Sequence, residues 1–147
     1  MLEIRNMEKT EIDYKIFKSM YDNLSYIDIV HVSPVLRPSH FSTFEEFSEA
    51  ISVGNFFFIV LDHIEIGYII LDAYLSGVCK IKEFYIIPAY QHRGYGHLVM
   101  AQFIAELRKD STLTVLKVIS ATIATDKFYT KCGFRYTHGD MYEFQPN

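Results

Sequence analysis

The 147-residue sequence predicts an α/β fold in which a mixed sheet carries helices on both faces. Three observations lead there. Apolar residues recur at helical intervals in some segments and at strand intervals in others, so the elements read in the order β-α-α-β-β-β-α-β-α-β-β. Asn55 to Leu61 is an almost unbroken apolar run, as in a strand covered on both sides. The stretch Ile81-Lys82-Glu83-Phe84-Tyr85-Ile86-Ile87-Pro88-Ala89-Tyr90-Gln91-His92-Arg93-Gly94-Tyr95-Gly96 takes a strand through a glycine-punctuated loop into a helix.

Taken in order, Glu3 to Asn6 forms a short first strand. From Glu11 to Leu24, Ile12, Ile16, Phe17, Met20, Tyr21 and Leu24 fall on one face of a helix. Pro34 and Pro38 then hold Asp28 to Ser42 out of helix. Thr43 caps a second helix because Glu46 completes a capping box; Phe44, Phe47 and Ile51 share its face, and Gly54 ends it. Asn55–Leu61 and Ile66–Leu75 make a hairpin around Asp62-His63-Ile64-Glu65. Ser76-Gly77 turns the chain into the strand Val78–Ile87. Leu98, Val99, Ala101, Phe103, Ile104, Ala105 and Leu107 make a strongly apolar helix that runs to Lys109. Thr114–Ser120 is a strand, Thr125–Cys132 a short helix stopped by Gly133, and Phe134–Phe144 a final pair of strands.

Half of the residues are hydrophobic, which at this length supplies the core of a single domain spanning residues 1–147. No apolar run is long enough to cross a bilayer, so no membrane partner is expected. Met1-Leu2-Glu3-Ile4-Arg5 lacks a secretory layout, and Cys79 and Cys132 are too few for a disulfide framework. A cytoplasmic protein is the expectation. The formal charge is −4 with no cluster of lysine and arginine, which argues against nucleic acid and weakly favours a cationic amine. The six histidines have no metal-ligand spacing, so no metal is expected.

The glycine loop carries the chemistry. The first N–H groups of a helix lack intrahelical partners and lie at the positive end of its dipole, so they bind anions. Gly94 and Gly96 permit close approach of an anion, and Arg93 adds a guanidinium suited to phosphate. Gly96-His97-Leu98 excludes a P-loop, which needs Lys-Ser or Lys-Thr there, and Val99 stands where a dinucleotide fingerprint needs a small residue. A plain strand-to-helix turn is the other reading of the loop. His92 and His97 either contact phosphate or are simply exposed.

Gln91-His92-Arg93-Gly94-Tyr95-Gly96 resembles the acyl-CoA pyrophosphate loop of the GNAT superfamily, the acyl-CoA-dependent N-acetyltransferases. Asp126-Lys127-Phe128-Tyr129-Thr130-Lys131-Cys132-Gly133-Phe134 resembles a second hallmark of that family, a short helix with a Phe-Tyr pair that ends in Gly-Phe. The resemblance covers nearly the whole chain and is weakest from Tyr26 to Ser42. It implies the GNAT fold, with a mostly antiparallel mixed sheet, and acetyl-CoA as cosubstrate. It further implies cofactor contacts from Phe84, Tyr85 and Ile86 on the strand, from Gln91, His92, Arg93, Gly94, Tyr95, Gly96 and His97 on the loop and helix start, and from Thr122, Phe128 and Tyr129. The thioester enters a gap between the strands of Ile86 and Val118, where a main-chain N–H near Ile86 binds the carbonyl oxygen. Two positions depart from the family: Thr122 stands where asparagine is common, and Thr125, where alanine is common, is expected to cap the helix.

By the same resemblance Tyr129 faces the sulfur and protonates the leaving thiolate, a task for which its reference pKa of about 10 keeps it protonated at neutral pH. Packing of the short helix is its alternative role. Glu83, the only carboxylate on the strand into the loop, is the candidate base, with a solvated strand residue as the equal alternative. Cys132 reads as a small buried hydrophobe with no base beside it. The sequence thus points to direct transfer of acetyl from acetyl-CoA to a primary amine, on a small molecule or a peptide, and is compatible with a homodimer. A non-catalytic acyl-CoA-binding module and a binder of other phosphate ligands are the alternatives.

Overall fold

The computed structural model describes residues 1–22, 41–53, 55–72, 76–120 and 123–146. Seven strands form one sheet: β1 (Leu2–Asn6), β2 (Asn55–Leu61), β3 (Ile64–Leu71), β4 (Val78–Ile86), β5 (Val115–Ile119), β6 (Arg135–His138) and β7 (Met141–Phe144), in the order β1-β2-β3-β4-β5-β7-β6. Four helices, α1 (Glu11–Asp22), α2 (Phe44–Val53), α3 (Tyr95–Leu107) and α4 (Ile123–Lys131), complete the described elements, with a 3₁₀ turn at Pro88–Tyr90. The class is the expected one and the described elements follow the expected order, while most of the loop expected from Asp28 to Ser42 and the strand end expected at Leu75 lie outside the described residues. Every strand pair is antiparallel except β4 with β5. No helix among the described residues is long and apolar enough to cross a membrane.

Local chemistry explains most of the boundaries. Thr43 Oγ1 accepts from Glu46 N–H at 3.2 Å and lies 3.4 Å from the Glu46 carboxylate, so the predicted box caps α2. The stop expected at Gly54 and the helical continuation at Leu24 lie outside the described residues. The β2–β3 hairpin is tighter than expected: Asp62 and His63 alone make the turn, at φ 48° and 71°, and β3 starts at Ile64. In α1 the buried face is Asp13, Tyr14, Phe17 and Met20, whereas Ile12, placed on that face by its spacing, is 71% exposed. The helix turns Asp13 inward because Arg5 of β1 meets its carboxylate with two bonds, at 2.9 and 3.1 Å.

The sheet separates two apolar layers. On one face Ile59, Ile69, Ile81 and Leu116 pack under Val99, Met100, Phe103 and Ile104 of α3 and Tyr129 of α4. On the other, Phe56, Phe58, Tyr68, Ile70 and Tyr85 pack under Tyr14, Phe17 and Met20 of α1 and Phe47 of α2.

Two irregularities in β4 prepare the site. Paired residues of β4 and β5 end at Ile81 opposite Val118, yet β4 runs on to Ile86 while β5 stops at Ile119. The strands therefore part, leaving the end of β4 bonded to β3 alone. The register on β3 jumps from Glu83 opposite Ile70 to Ile81 opposite Leu71, which makes Lys82 a bulge. One extra residue exchanges the faces, so Phe84 and Ile86 join Ile81 on the α3 side while Glu83 and Tyr85 turn to the α1 side.

Candidate active site

Where β4 leaves β5, a cleft of about 320 Å³ opens between the end of β4, the following loop, the start of α3 and α4. Phe84, Tyr85 and Ile86 line its strand side, Gln91, His92, Gly94, Gly96 and His97 its loop and helix-start side, and Phe128 and Tyr129 its α4 side. The structure thus gathers ten of the residues singled out for a cofactor into one space.

The loop leaves the start of α3 bare. Gly94 is the N-cap, at φ 86° and ψ −1°, a left-handed conformation that glycine adopts without strain. The first intrahelical bond runs from Leu98 N–H to Gly94 C=O, and no side chain caps the N–H groups before it. The first turn of α3 itself carries no acid to repel an anion. Gln91 Nε2 donates to Ile86 C=O at 2.6 Å and fastens the loop to the strand end. Gly96 sits where a Cβ would stand 3.0 Å from Cε1 of Phe128, so the cleft owes its width to a missing side chain.

Two expected residues stand outside the lining. Arg93 is exposed, with its guanidinium 5.8 Å from the centre of the Tyr90 ring, and Tyr95 packs its ring 6.1 Å from Tyr90. Thr122 lies outside the described residues. Three lining residues were absent from the expected set: Tyr90, Ala124 and Thr125. An aromatic between Pro88 and Arg93 was the available signal for Tyr90, because guanidinium groups settle over aromatic faces. Thr125 is not the expected cap. It sits inside α4, 7% exposed, with its hydroxyl 2.6 Å from Ser120 Oγ, a bond that ties the helix to the end of β5.

The run from Tyr129 to Phe134 is a Schellman stop. Phe134 N–H bonds to Tyr129 C=O at 3.0 Å and Gly133 N–H to Thr130 C=O at 3.0 Å, with Gly133 at φ 99°. The Phe134 ring rests 5.4 Å from that of Tyr129, the apolar contact usual for this stop. Phe128 crosses Tyr129 on the other side at 5.1 Å. Tyr129 is therefore fixed at both the backbone and the ring. Burial, and secondarily the neighbouring Cys132, push its hydroxyl well above the ordinary tyrosine range, so it stays protonated at neutral pH.

Cys132 corrects the sequence reading. It is half-buried and its Sγ lies 3.6 Å from His97 Nδ1, so a base does stand beside it. Burial nonetheless raises its thiol to about 11, which keeps it protonated and a poor nucleophile at neutral pH.

Glu83 stands back from the cleft. It is 2% exposed on the α1 side of the sheet, where Tyr68 Oη donates to its Oε1 at 2.9 Å. Tyr85 lines the first cleft and also a second groove of about 450 Å³, whose other walls are Lys15, Ile16, Ser19 and Met20 of α1, Glu65, Ile87 and Pro88. Two spaces on opposite sides of the β4 end thus share one residue.

A family model described as the acetyltransferase (GNAT) domain matches residues 53–136. No curated protein matches the sequence. Among solved structures, a GNAT-family protein from Desulfovibrio desulfuricans shares the fold with a TM-score of 0.69 at 16% identity, covering 100% of both chains. Spermidine N-acetyltransferase from Vibrio cholerae, in complex with CoA and spermine, gives 0.73 at 15% identity, covering 99% of this chain and 95% of that one. N-acetylglutamate synthase from Neisseria gonorrhoeae, with coenzyme A and N-acetyl-glutamate, gives 0.73 at 17% identity, covering 100% of this chain and 35% of that one. A model match over more than half of the sequence and a fold shared along its whole length place the chain in the GNAT family, the acetyltransferases that move an acetyl group from acetyl-CoA to an amine.

Proposed function

We propose that residues 1–147 form one N-acetyltransferase domain that transfers acetyl directly from acetyl-CoA to a primary amine. The observation that carries this reading is the meeting, in one cleft, of the uncapped start of α3, the end of β4 beyond its last pairing with β5 and the buried Tyr129. The helix start and the guanidinium of Arg93 take the pyrophosphate, and the end of β4 beside Ile86 takes the thioester carbonyl. The amine acceptor, on a small molecule or a peptide, enters by the groove behind Tyr85.

In this reading Glu83 receives one proton from the arriving ammonium by way of a water in the groove, because its carboxylate lies off both spaces. The neutral amine forms the C–N bond at the carbonyl carbon. As the C–S bond breaks, Tyr129 gives its proton to the thiolate and regains one from the nitrogen of the adduct. The proton on Glu83 passes to solvent, so the products are the acetamide, free CoA thiol and one proton.

The V. cholerae and N. gonorrhoeae structures hold a polyamine and an acetylated amino acid, and the groove here carries both a cation and an anion, Lys15 and Glu65. Nucleic acid is not among the proposed partners, given the net charge of −4. Two free cysteines suit a reducing cytoplasm. A homodimer belongs to the proposal through β6, an edge strand with all four residues exposed. Release of CoA thiol measured across a panel of amines tests the reading; it requires at least one amine that accelerates release.

A further inference from the structure

We infer that Tyr68 is a positioning residue for the acceptor side of the site: its hydroxyl, held by packing, orients the carboxylate of Glu83 and favours the ionised form that receives the amine's proton. This rests on the proposed role of Glu83. The geometry begins with the bulge at Lys82, which turns Glu83 onto the α1 side of the sheet. There Ile70 lies opposite Glu83 and Tyr68 opposite Tyr85, so Tyr68 and Glu83 are diagonal neighbours on one face, a separation that long side chains bridge. The resulting bond is 2.9 Å long between two side chains that are 0% and 2% exposed.

The donor has little freedom to leave. Phe17 of α1 meets the Tyr68 ring edge-on at 5.0 Å and Tyr85 lies 5.7 Å away. A carboxylate's last torsion is intrinsically broad, so a fixed donor on Oε1 narrows the plane the group can take. Burial and the charge of Glu83 both raise the Tyr68 hydroxyl well above its ordinary range, so it keeps its proton and donates at neutral pH. Among the described residues the titratable groups about this pair are Tyr14 and Tyr21 of α1 and Tyr85 of β4; α2 presents Phe44, Phe47 and Ile51, β2 presents Phe56, Phe58 and Val60, and Lys117 of β5 pairs with Glu143 at 3.4 Å. The full burial of both partners makes the bond strong and its removal measurable. Neither residue lines the acetyl-CoA cleft, so the effect should spare the cofactor.

The test is a pH–rate profile of Tyr68→Phe, which removes the hydroxyl and keeps the ring. Loss of a donor to the ionised form should displace the acid limb of kcat/KM for the amine toward higher pH and lower the rate about tenfold below neutrality, with KM for acetyl-CoA unchanged. Replacement by 3-fluorotyrosine, a stronger donor of nearly the same shape, should displace the limb the other way and serves if the phenylalanine variant folds poorly. Tyr68→Phe combined with Glu83→Gln should be no slower than Glu83→Gln alone, because Tyr68 acts only through Glu83. A profile that superimposes on the wild type, or additive losses in the double variant, overturns the inference. If Glu83→Gln itself is fully active, the role of Glu83 falls instead, a separate result.

Discussion

Gly96 and Phe128 face each other across the candidate cleft from α3 and α4, so closely that a Cβ on Gly96 would stand 3.0 Å from Cε1 and 3.4 Å from Cζ of the ring. A Cβ on Gly94, by contrast, would meet nothing within 4 Å, and that glycine is needed for its backbone angle. The two glycines of the loop therefore serve different ends.

Gly96→Val should weaken CoA binding at least tenfold, about 1.4 kcal/mol, by driving Phe128 into the space of the cofactor. Gly96→Ala should do less, since the ring need give only a few tenths of an ångström. Calorimetric titration of CoA into both variants checks the order. Wild-type affinity in Gly96→Val would contradict the assignment of the cleft.

Tyr129→Phe keeps both ring contacts and removes only the hydroxyl. As a proton donor to the departing thiolate acts mainly in the transition state, kcat should fall by about 10²- to 10⁴-fold with little change in acetyl-CoA affinity. An unchanged kcat would leave Tyr129 as a packing residue.

The order of elements, the capping box at Thr43 and the glycine loop were legible in the sequence because each is a local code: periodicity, a side chain three residues from its donor, a backbone angle. What escaped was set by partners far along the chain. Ile12 has the spacing of a core residue, but the bond from Arg5 to Asp13 decides which face of α1 turns inward. Cys132 meets His97 only because α4 packs beside α3. The bulge did leave a trace, since the adjacent polar pair Lys82-Glu83 breaks the strict alternation of a strand. The pair does not by itself say where the extra residue falls; the pairing of Glu83 with Ile70 and of Ile81 with Leu71 does.

Gly67, like Gly96, has a steric duty. A Cβ there would lie 2.0 Å from the Tyr85 carbonyl oxygen and 3.0 Å from Ile86 Cα, so β3 and β4 can approach only without it. Gly67→Ala should lower stability by about 1–3 kcal/mol or more and displace the end of β4. Because misplacement of about 1 Å near a reacting centre lowers rates by about 10²-fold, kcat should fall further than the thermal midpoint alone suggests. Urea unfolding and kinetics on the folded variant check both parts.

Acid should loosen the junction of β1 and α1. Burial pushes the Asp13 carboxyl up, but bonds from Arg5 and from Glu8 N–H, with the guanidinium charge, outweigh it and hold it below its ordinary value. A depressed carboxyl contributes stability that is complete above the unfolded value of about 3.9 and is lost as pH falls through the folded one. Urea midpoints should therefore drop below about pH 4. Asp13→Asn should flatten part of that slope and, at neutral pH, destabilise by about 1–3 kcal/mol, since Arg5 and Glu8 N–H lose a charged partner. A variant with the wild-type slope would remove Asp13 from the acid response.

The most direct test of direct transfer is the initial rate of CoA thiol release with acetyl-CoA and amine varied together, using an amine that the wild type accepts. Direct attack within a cleft that holds both substrates predicts amine-dependent release and double-reciprocal lines that intersect. Parallel lines, the mark of an acetylated enzyme intermediate, or release that no amine accelerates, would contradict it.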